Sequence, residues 1–404
     1  MKQLIIIGSG ISGLASAYFL RKKFKIKIFE KNDYLGGHTH THYLKDEKTY
    51  FDSGFIVFNN KNYPNFIHLL KNLKVDYQES NMSFSVTNRK INYEWAGKNL
   101  KTIFNLKNIF TIRYLKVLAD IFKFSKLCEK ETSLYNVSLK KFLIKYNFSK
   151  EFIDLYFLPM CASIWSSDLK NIMNYNTSFI LNFFKNHGLN NVISKRPIWF
   201  TIKNGSKSYI EKIIKDLKPE IYLNEKVIEI NQRKKYIKTI NKKKFRYDHL
   251  ILANHSNQIK KILKQTEKNQ FELLNAVKYK KNKIIIHTDK NLMPKNPNNW
   301  SSWNYLYNRN NLILTYWMNL LQKLKCKKNI FVTLNFDKIK KKSIIKKIIY
   351  EHPVFTKPLK SIDQINQKAQ GINNIWFTGA WLGYGFHEDG VNSALKIRRL
   401  LNVK

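Results

Sequence analysis

The stretch from residue 4 to residue 37 constrains this chain more than any other. A short apolar run, Leu4–Ile7, leads directly into Gly8, Gly10 and Gly13 at G-x-G-x-x-G spacing. The next residues include the small Ala15 and Ala17, and a second apolar run, Ile26–Phe29, ends at Glu30. This order predicts a buried parallel strand, a tight turn, a helix and a second parallel strand, the context in which the glycine pattern carries chemistry. Gly8 permits the turn, Gly10 lets backbone approach a pyrophosphate, and Gly13 with the two alanines lets the helix pack close to the sheet. The helix N-terminus offers unpaired N–H groups and the positive end of its dipole to phosphate. Glu30 lies 20 residues beyond Gly10, where a carboxylate can accept from a ribose 2′-hydroxyl and would repel a 2′-phosphate. An ordinary strand–turn–helix does not need all of these elements in this order.

Composition narrows the class. At 404 residues the chain can bury a large core and hold two domains. No run of 18 apolar residues is present, so no spanning helix is expected. The first strand begins almost at Met1, which leaves no room for a signal peptide. Cys128, Cys161 and Cys326 are scattered without C-x-x-C spacing and read as free thiols in a reducing cytoplasm. The net charge of +44 points to an anionic partner or to compositional drift. Sixty-three of the 72 basic residues are lysine, and Ile, Asn, Tyr and Phe are heavily used, as A/T-rich codons would supply. Arginine, the preferred reader of bases and phosphates, is scarce. Drift is favoured, and no specific nucleic-acid role is expected. A surface this basic still collects near anionic lipid at low salt.

The pattern predicts a helix over Tyr63–Leu73, strand-like text to residue 95 and mostly helical structure over 98–200. Ser138 reads as an N-cap ahead of Leu139, Phe142, Leu143 and Tyr146, and Pro159 should end a helix begun near Ser149. Strands are expected at Tyr222–Leu223, Val227–Ile230, Tyr236–Ile240, His249–Leu252, Lys283–Thr288, Leu312–Met318 and Asn329–Phe336. A strand, a glycine-bearing loop and a closing helix follow over Ile375–Leu401. The expected architecture is α/β: a discontinuous Rossmann-like cofactor domain (1–75, 200–265 and 350–404) with an inserted α+β substrate domain. The substrate part is mostly helical over 76–199 and a sheet over 266–349. Segment 98–126, with Lys101, Lys107, Arg113, Lys116, Lys123 and Lys126 among apolar residues, reads first as a solvated face of a packed helix and second as a membrane-surface helix.

Glu30 is followed after five residues by Gly36-Gly37, an arrangement that resembles FAD-binding enzymes of the flavin amine oxidase and phytoene desaturase superfamily. TGAWLGYGFHEDGVNSAL near the C-terminus resembles the same superfamily. So do GGHTHT, FDSGFIVFN, LPMCASIWS, NHGL, HTDKNLMP and SWNY, which are similar to a bacterial subgroup of predicted FAD/NAD-binding oxidoreductases. The resemblance spans nearly the whole chain. It implies bound FAD, an amine oxidase-like fold, a second helix N-terminus near Asp389, Gly390 and Val391 aimed at the flavin, and a Val227 backbone against the adenine. Position 38 is His where amine oxidases usually carry Arg, which argues against an amine substrate. Some relatives of the subgroup act on lipid acyl chains, which implies an apolar substrate by analogy.

The expected cofactor-binding set is Gly8, Gly10, Ile11, Ser12, Gly13, Glu30, Lys31, Gly36, Gly37, His38, Thr39, Gly54, Val227, Ala253, Gly379, Ala380, Glu388, Asp389, Gly390 and Val391. Catalytic candidates are His38, Tyr384, His387 and Glu388, with Asp52 also near the expected ring. His40 and His42 read as locally hydrogen-bonded. The H-x-H-x-H run has no evident acidic or thiolate partner, so no metal is expected. Trp165, Trp303, Trp317 and Trp381 line a pocket or pack a core. The expected function is FAD-dependent dehydrogenation of an apolar substrate, with hydride transfer to flavin N5. Alternatives are a non-redox flavin enzyme such as a sugar-nucleotide mutase, which would need Arg89, Arg113, Arg196 or Arg309 for its substrate's pyrophosphate, and a basic binding protein with structural FAD. A cytoplasmic location is expected, with room for peripheral contact at the inner membrane face.

Overall fold

A computed structural model describes residues 1–96, 111–130, 137–164, 172–186, 197–308 and 311–403. Among these, the first strand, Lys2–Ile7, sits inside an all-parallel five-stranded sheet. The order runs Glu220–Tyr222, Phe24–Phe29, Lys2–Ile7, His249–Leu252, Ile375–Phe377. Sandwiching explains its unbroken apolar text. Leu4 and Ile6 pack on one face with Leu14, Ala17, Phe66 and Val391. Ile5 and Ile7 pack on the other with Val227, Leu250, Leu252 and Ile259. A strand buried on both faces has no polar side to alternate with.

The helix Ile11–Leu20 returns across this sheet, and its packing needs Gly13: a Cβ there would overlap the Gly8 carbonyl oxygen. The C-terminal helix, His387–Leu400, lies against the same helix, with Gly390 packed on Ile11 and Ser12. The two ends of the chain therefore meet at the glycine turn.

A second, seven-stranded sheet carries the remaining wall. It draws Phe84–Asn88 and Tyr93–Ala96 from the first half of the chain, and Lys278–His287, Trp303–Asn308, Asn311–Trp317, Phe331–Leu334 and Ile344–Val354 from the second. Its one parallel pair, Trp303–Asn308 with Phe84–Asn88, joins the two halves. Helices Ile112–Lys130, Leu139–Lys145 and Thr177–Asn186 cover it, through a core that includes Phe124, Phe142, Phe152, Phe157 and Phe184. Strand Ile344–Val354 runs across position 349/350, where the cofactor domain was expected to resume.

Ser138 caps its helix as expected, accepting from the Lys141 N–H. Pro159 does not end the helix begun at Lys150. The helix widens into a π-type turn over Ile153–Phe157 and continues over Leu158–Ile164. Proline cannot donate, so the wide turn leaves backbone carbonyls in need of partners. The Asp154 carbonyl finds one in the Tyr307 hydroxyl. In helix Ile112–Lys130, Val117, Asp120, Phe124 and Cys128 are buried while Ile112, Leu115 and Phe122 are exposed. Lys101 and Lys107 lie outside the described residues.

Because the clash at Gly13 is with rigid backbone, Gly13→Ala should destabilise the protein by about 1–3 kcal/mol, the cost typical of overpacking. A lowered denaturation midpoint in a thermal melt checks this; an unchanged midpoint would show that the helix can lift without loss.

Candidate functional site

The turn from Ile7 to Ile11 is tied down from three sides. Gly8 N–H donates to Phe29 O (2.9 Å), Gly36 N–H to Ser9 O (3.0 Å), and Ala253 N–H to Ile7 O (2.9 Å). Gly10 differs from its neighbours: a Cβ built on it meets nothing within 4 Å. Its backbone faces open space at the N-terminus of helix Ile11–Leu20, where free N–H groups and the dipole favour an anion.

Glu30 is buried at the end of its strand. Its carboxylate accepts from Ser9 N–H (3.0 Å), Ser9 hydroxyl (2.7 Å) and Asn32 N–H (3.0 Å). A carboxylate offers about four acceptor positions, so a ribose hydroxyl can still be received.

This turn opens into a cavity of about 1890 Å³. Gly8, Gly10, Ile11, Ser12, Glu30, Lys31, Gly36, Gly37, His38, Gly54, Val227, Ala253, Gly379 and Ala380 all border it. One part is polar and unsatisfied. His38 Nε2, Asn254 Oδ1, His255 Nδ1, Asn257 Oδ1 and Trp381 Nε1 are buried there without hydrogen-bond partners. Buried polar atoms without partners are rare in folded proteins. Grouped along a cleft they mark a place built for a polar ligand. The other part runs under the seven-stranded sheet and is lined by apolar groups such as Phe84, Trp95, Ile121, Leu155, Met160 and Ile284.

The expected cofactor residues that do not border the cavity serve the turn's frame. Gly13 permits the helix–strand approach, and Thr39 hydroxyl bonds Tyr209 (2.5 Å) and His387 Nε2 (3.0 Å). Gly390 packs on Ile11 and Ser12, and Val391 is fully buried in the core. Asp389 receives the Phe386 N–H (2.9 Å), closing the start of the last helix. Burial raises its pKa to about 7.

The catalytic candidates separate. Tyr384 borders the cavity beside Phe179 and Phe183, its hydroxyl pKa raised by burial. His387 stacks flat on Phe55, with ring centroids 3.4 Å apart, and burial lowers it to about 3, so it is a neutral imidazole. Glu388 was expected at the reacting centre, and the structure turns it away. Its carboxylate caps the helix Pro64–Asn72, accepting from Asn65 N–H (3.0 Å) and Phe66 N–H (2.8 Å). That helix start has no Ser, Thr, Asn or Asp cap of its own, so a carboxylate from another element fills the role. Asp52 is likewise structural, buried and bound to Ser206, Thr41 and Gln322.

His40 bonds Tyr350 (3.0 Å) and His42 bonds Ser53 (2.7 Å), which leaves both locally satisfied. Burial, with Lys346 nearby, lowers them to about 4 and about 3. No metal-binding group of His, Cys, Asp or Glu occurs among the described residues. Trp303 and Trp381 border the cavity, Trp317 hydrogen-bonds Asn329, and Trp165 lies outside the described residues. Of the four arginines a mutase would use, Arg89 donates to the Asn291 and Met293 carbonyls. Arg113 is not at the cavity, and Arg196 and Arg309 are outside the described residues.

Sequence reasoning missed His255, Tyr350 and His352, all of which border the cavity. His255 had a signal: it follows strand His249–Leu252 at the carboxyl end of the parallel sheet, where ligands gather. His352 had none, because the cavity is reached only through the register of a long edge strand.

A family model described as flavin containing amine oxidoreductase matches residues 11–319. The chain belongs to that family. Family members are FAD-dependent oxidoreductases, and the cleft fits FAD: a glycine turn facing open space, a ribose-receiving carboxylate and a row of unsatisfied polar atoms. The chain is similar over 164 residues, at 33% identity, to a 1-hydroxycarotenoid 3,4-desaturase of Flavobacterium sp. (strain P99-3). That match covers 37% of this chain and 31% of the relative. Among solved structures it is similar to cyclohexylamine oxidase from Brevibacterium oxydans IH-35A (TM-score 0.73, 13% identity, 99% of each chain). It is also similar to a conjugated-linoleic-acid-producing fatty acid isomerase from P. acnes (TM-score 0.69, 13% identity, 99% of this chain and 98% of that one). At such identities these two likenesses concern the fold.

A Cβ at Gly10 would meet no protein atom within 4 Å and would stand in the open cleft. Gly10→Val should therefore fold with an unchanged apoprotein melting temperature and carry no FAD, as read by the visible spectrum of the purified protein. A yellow Gly10→Val protein would place the cofactor elsewhere.

Proposed function

We propose that the protein dehydrogenates a long apolar substrate, of the lipid acyl or polyene kind, at an FAD held by the glycine cleft. The observation that carries this reading is the apolar arm of the cavity. Its walls, formed by Phe84, Trp95, Ile121, Leu155 and Met160 among others, can bury a chain but offer little to a charged amine. The partial likeness to a carotenoid desaturase supports the same substrate class.

FAD bound there supplies a hydride acceptor at N5. The protein's own groups position and shield. Phe355, Phe183 and Tyr384 border the cavity, linked through Phe179, which stacks on Phe355 at 4.7 Å and lies beside Tyr384, and they present an apolar wall. His387 is neutral and fixed by Thr39, Tyr209 and Phe55, so it shapes the wall rather than carrying charge. Cofactor-facing residues come mainly from 1–75, 200–265 and 350–404. The apolar arm comes mainly from the stretches between, which supports the proposed division into cofactor and substrate domains.

The site is tested by anaerobic addition of acyl and carotenoid substrates to the yellow protein. Flavin absorbance near 450 nm should bleach with such a substrate and not with short polar amines. Bleaching by amines alone would overturn the reading.

A membrane-surface location for the substrate fits the cavity mouth. Phe122 and Ile198 both border the cavity and are about half exposed, at 49% and 48%. Ile112 and Leu115 are exposed on the same helix as Phe122, which also carries Lys116, exposed and paired with Glu151, and the half-buried Lys123, paired with Asp120. Exposed apolar groups on a helix that also carries lysines suit an anionic bilayer. No helix of the described residues is long and apolar enough to cross a membrane. The protein should float with anionic vesicles, less well at high salt, and Leu115→Asp should reduce flotation. Equal flotation of both proteins would remove this surface from the account.

A further inference from the structure

Three histidines from distant parts of the chain meet beside the glycine turn. His38 follows Gly37, His255 follows strand His249–Leu252, and His352 lies on strand Ile344–Val354. The His38 ring centroid is 5.2 Å from that of His352 and 5.8 Å from that of His255. Two close approaches place the cluster at the turn. A Cβ on Gly37 would lie 3.3 Å from Gly10 Cα, and one on Gly8 would lie 3.2 Å from the Asn254 nitrogen.

Two of the three rings, His38 and His352, are held short of protons, while His255 faces the Glu351 carboxylate. His38 Nε2 and His255 Nδ1 are buried with no hydrogen-bond partner. The His38 ring also hydrogen-bonds the Glu351 backbone, and His352 Nδ1 faces the Asn282 amide at 2.6 Å. Burial first, then the neighbouring His352, His255 and His387, hold His38 well below the ordinary imidazole value. Burial and His255 bring His352 to about 4.

Among the groups facing the cluster, Glu351 supplies a counter-charge on the His255 side, and its contact with His255 holds its carboxyl low. Glu351 is the one carboxylate paired with it among the described residues, 3.8 Å from His255 Nδ1, and Lys281 stands opposite Glu351 across the strand pair. Tyr350 lies beside His38, and Tyr279 stacks on His255. From the other walls come His387 on the C-terminal helix and the cavity lysines Lys31, Lys226 and Lys261. No arginine occurs among the described cavity residues. A diphosphate at the turn would bring negative charge to the His38 side of the cluster, where no ion pair with a carboxylate occurs among the described residues, and an opposite charge nearby favours the protonated imidazole.

We propose that His38, His255 and His352 are a proton-coupled anchor for the cofactor's diphosphate, so that FAD binds together with protons taken from solvent. The inference rests on the FAD reading of the cleft. Each coupled proton forms an N–H bond on an imidazole nitrogen and leaves water or buffer; no electron moves. The sign follows from linkage. Below the low apoprotein pKa of His38 and His352 those two rings are already charged and affinity is flat. Above it, until the raised holoprotein pKa is passed, affinity falls as pH rises, by about tenfold per pH unit for each coupled proton.

The experiment strips FAD from the holoprotein and follows rebinding by flavin fluorescence from about pH 6 to about pH 8.5. Calorimetry in two buffers of different protonation enthalpy counts the protons. The expected result is a Kd that rises at least about tenfold over this range, as one coupled proton requires, with net proton uptake. His38→Asn should flatten the profile and bind at pH 6 about as weakly as the unsubstituted protein does at pH 8.5. Should that variant not fold, His352→Gln and the proton count on the unsubstituted protein decide the matter. A flat Kd without proton uptake, or variants that keep the full slope, would overturn the anchor while leaving the FAD site standing. Failure to bind FAD at any pH would instead remove the FAD reading itself.

Discussion

The contact on which the rest depends is the one between Gly13 and the Gly8 carbonyl. It lets helix Ile11–Leu20 lie close enough to the first strand for its N-terminus to open on the cleft. Everything that makes the site is hung from that turn. Gly36 bonds back to Ser9, Ala253 bonds to Ile7, and the C-terminal helix seats Gly390 on Ile11 and Ser12. A side chain at Gly13 would push the helix off the sheet, and the second helix would lose its seat as well.

The cavity then joins two environments. On the turn's side, helix dipoles, backbone N–H groups and unsatisfied polar atoms await a polar ligand. On the other side, aromatic and aliphatic walls from the seven-stranded sheet and its helices exclude water. A flavin nucleotide has this division within itself, with a diphosphate at one end and a flat ring at the other. The apolar lining contributed by Phe84, Trp95, Ile121, Leu155 and Met160 comes from elements outside the parallel sheet.

Much of this was legible from residue order. Strand, turn and helix at 4–20 follow from local rules of apolar runs and glycine spacing, and so does Glu30 at the next strand's end. The closing strand and helix were legible because TGAWLGYGFHEDG has its own glycine pattern. Glu388 and Asp52 were not legible. A carboxylate in a glycine-rich loop looks the same in sequence whether it faces a flavin or caps a helix 322 residues away. Pro159 misled for a related reason: the wide turn that tolerates it is completed by a hydroxyl from Tyr307.

The sequence by itself determined the cofactor-binding half, because its information is local. Glycines, small residues and an acid at set spacings specify a turn that can do little but hold a dinucleotide. The tertiary structure alone decided which histidines stand together, which carboxylates are spent on capping, and which apolar side chains line the cavity. Those depend on strand register and on contacts between segments hundreds of residues apart. His38 meets His255 because the Gly36 bridge to the glycine turn and the strand His249–Leu252 both flank the first strand, and His352 joins them from strand Ile344–Val354; no local pattern encodes that meeting.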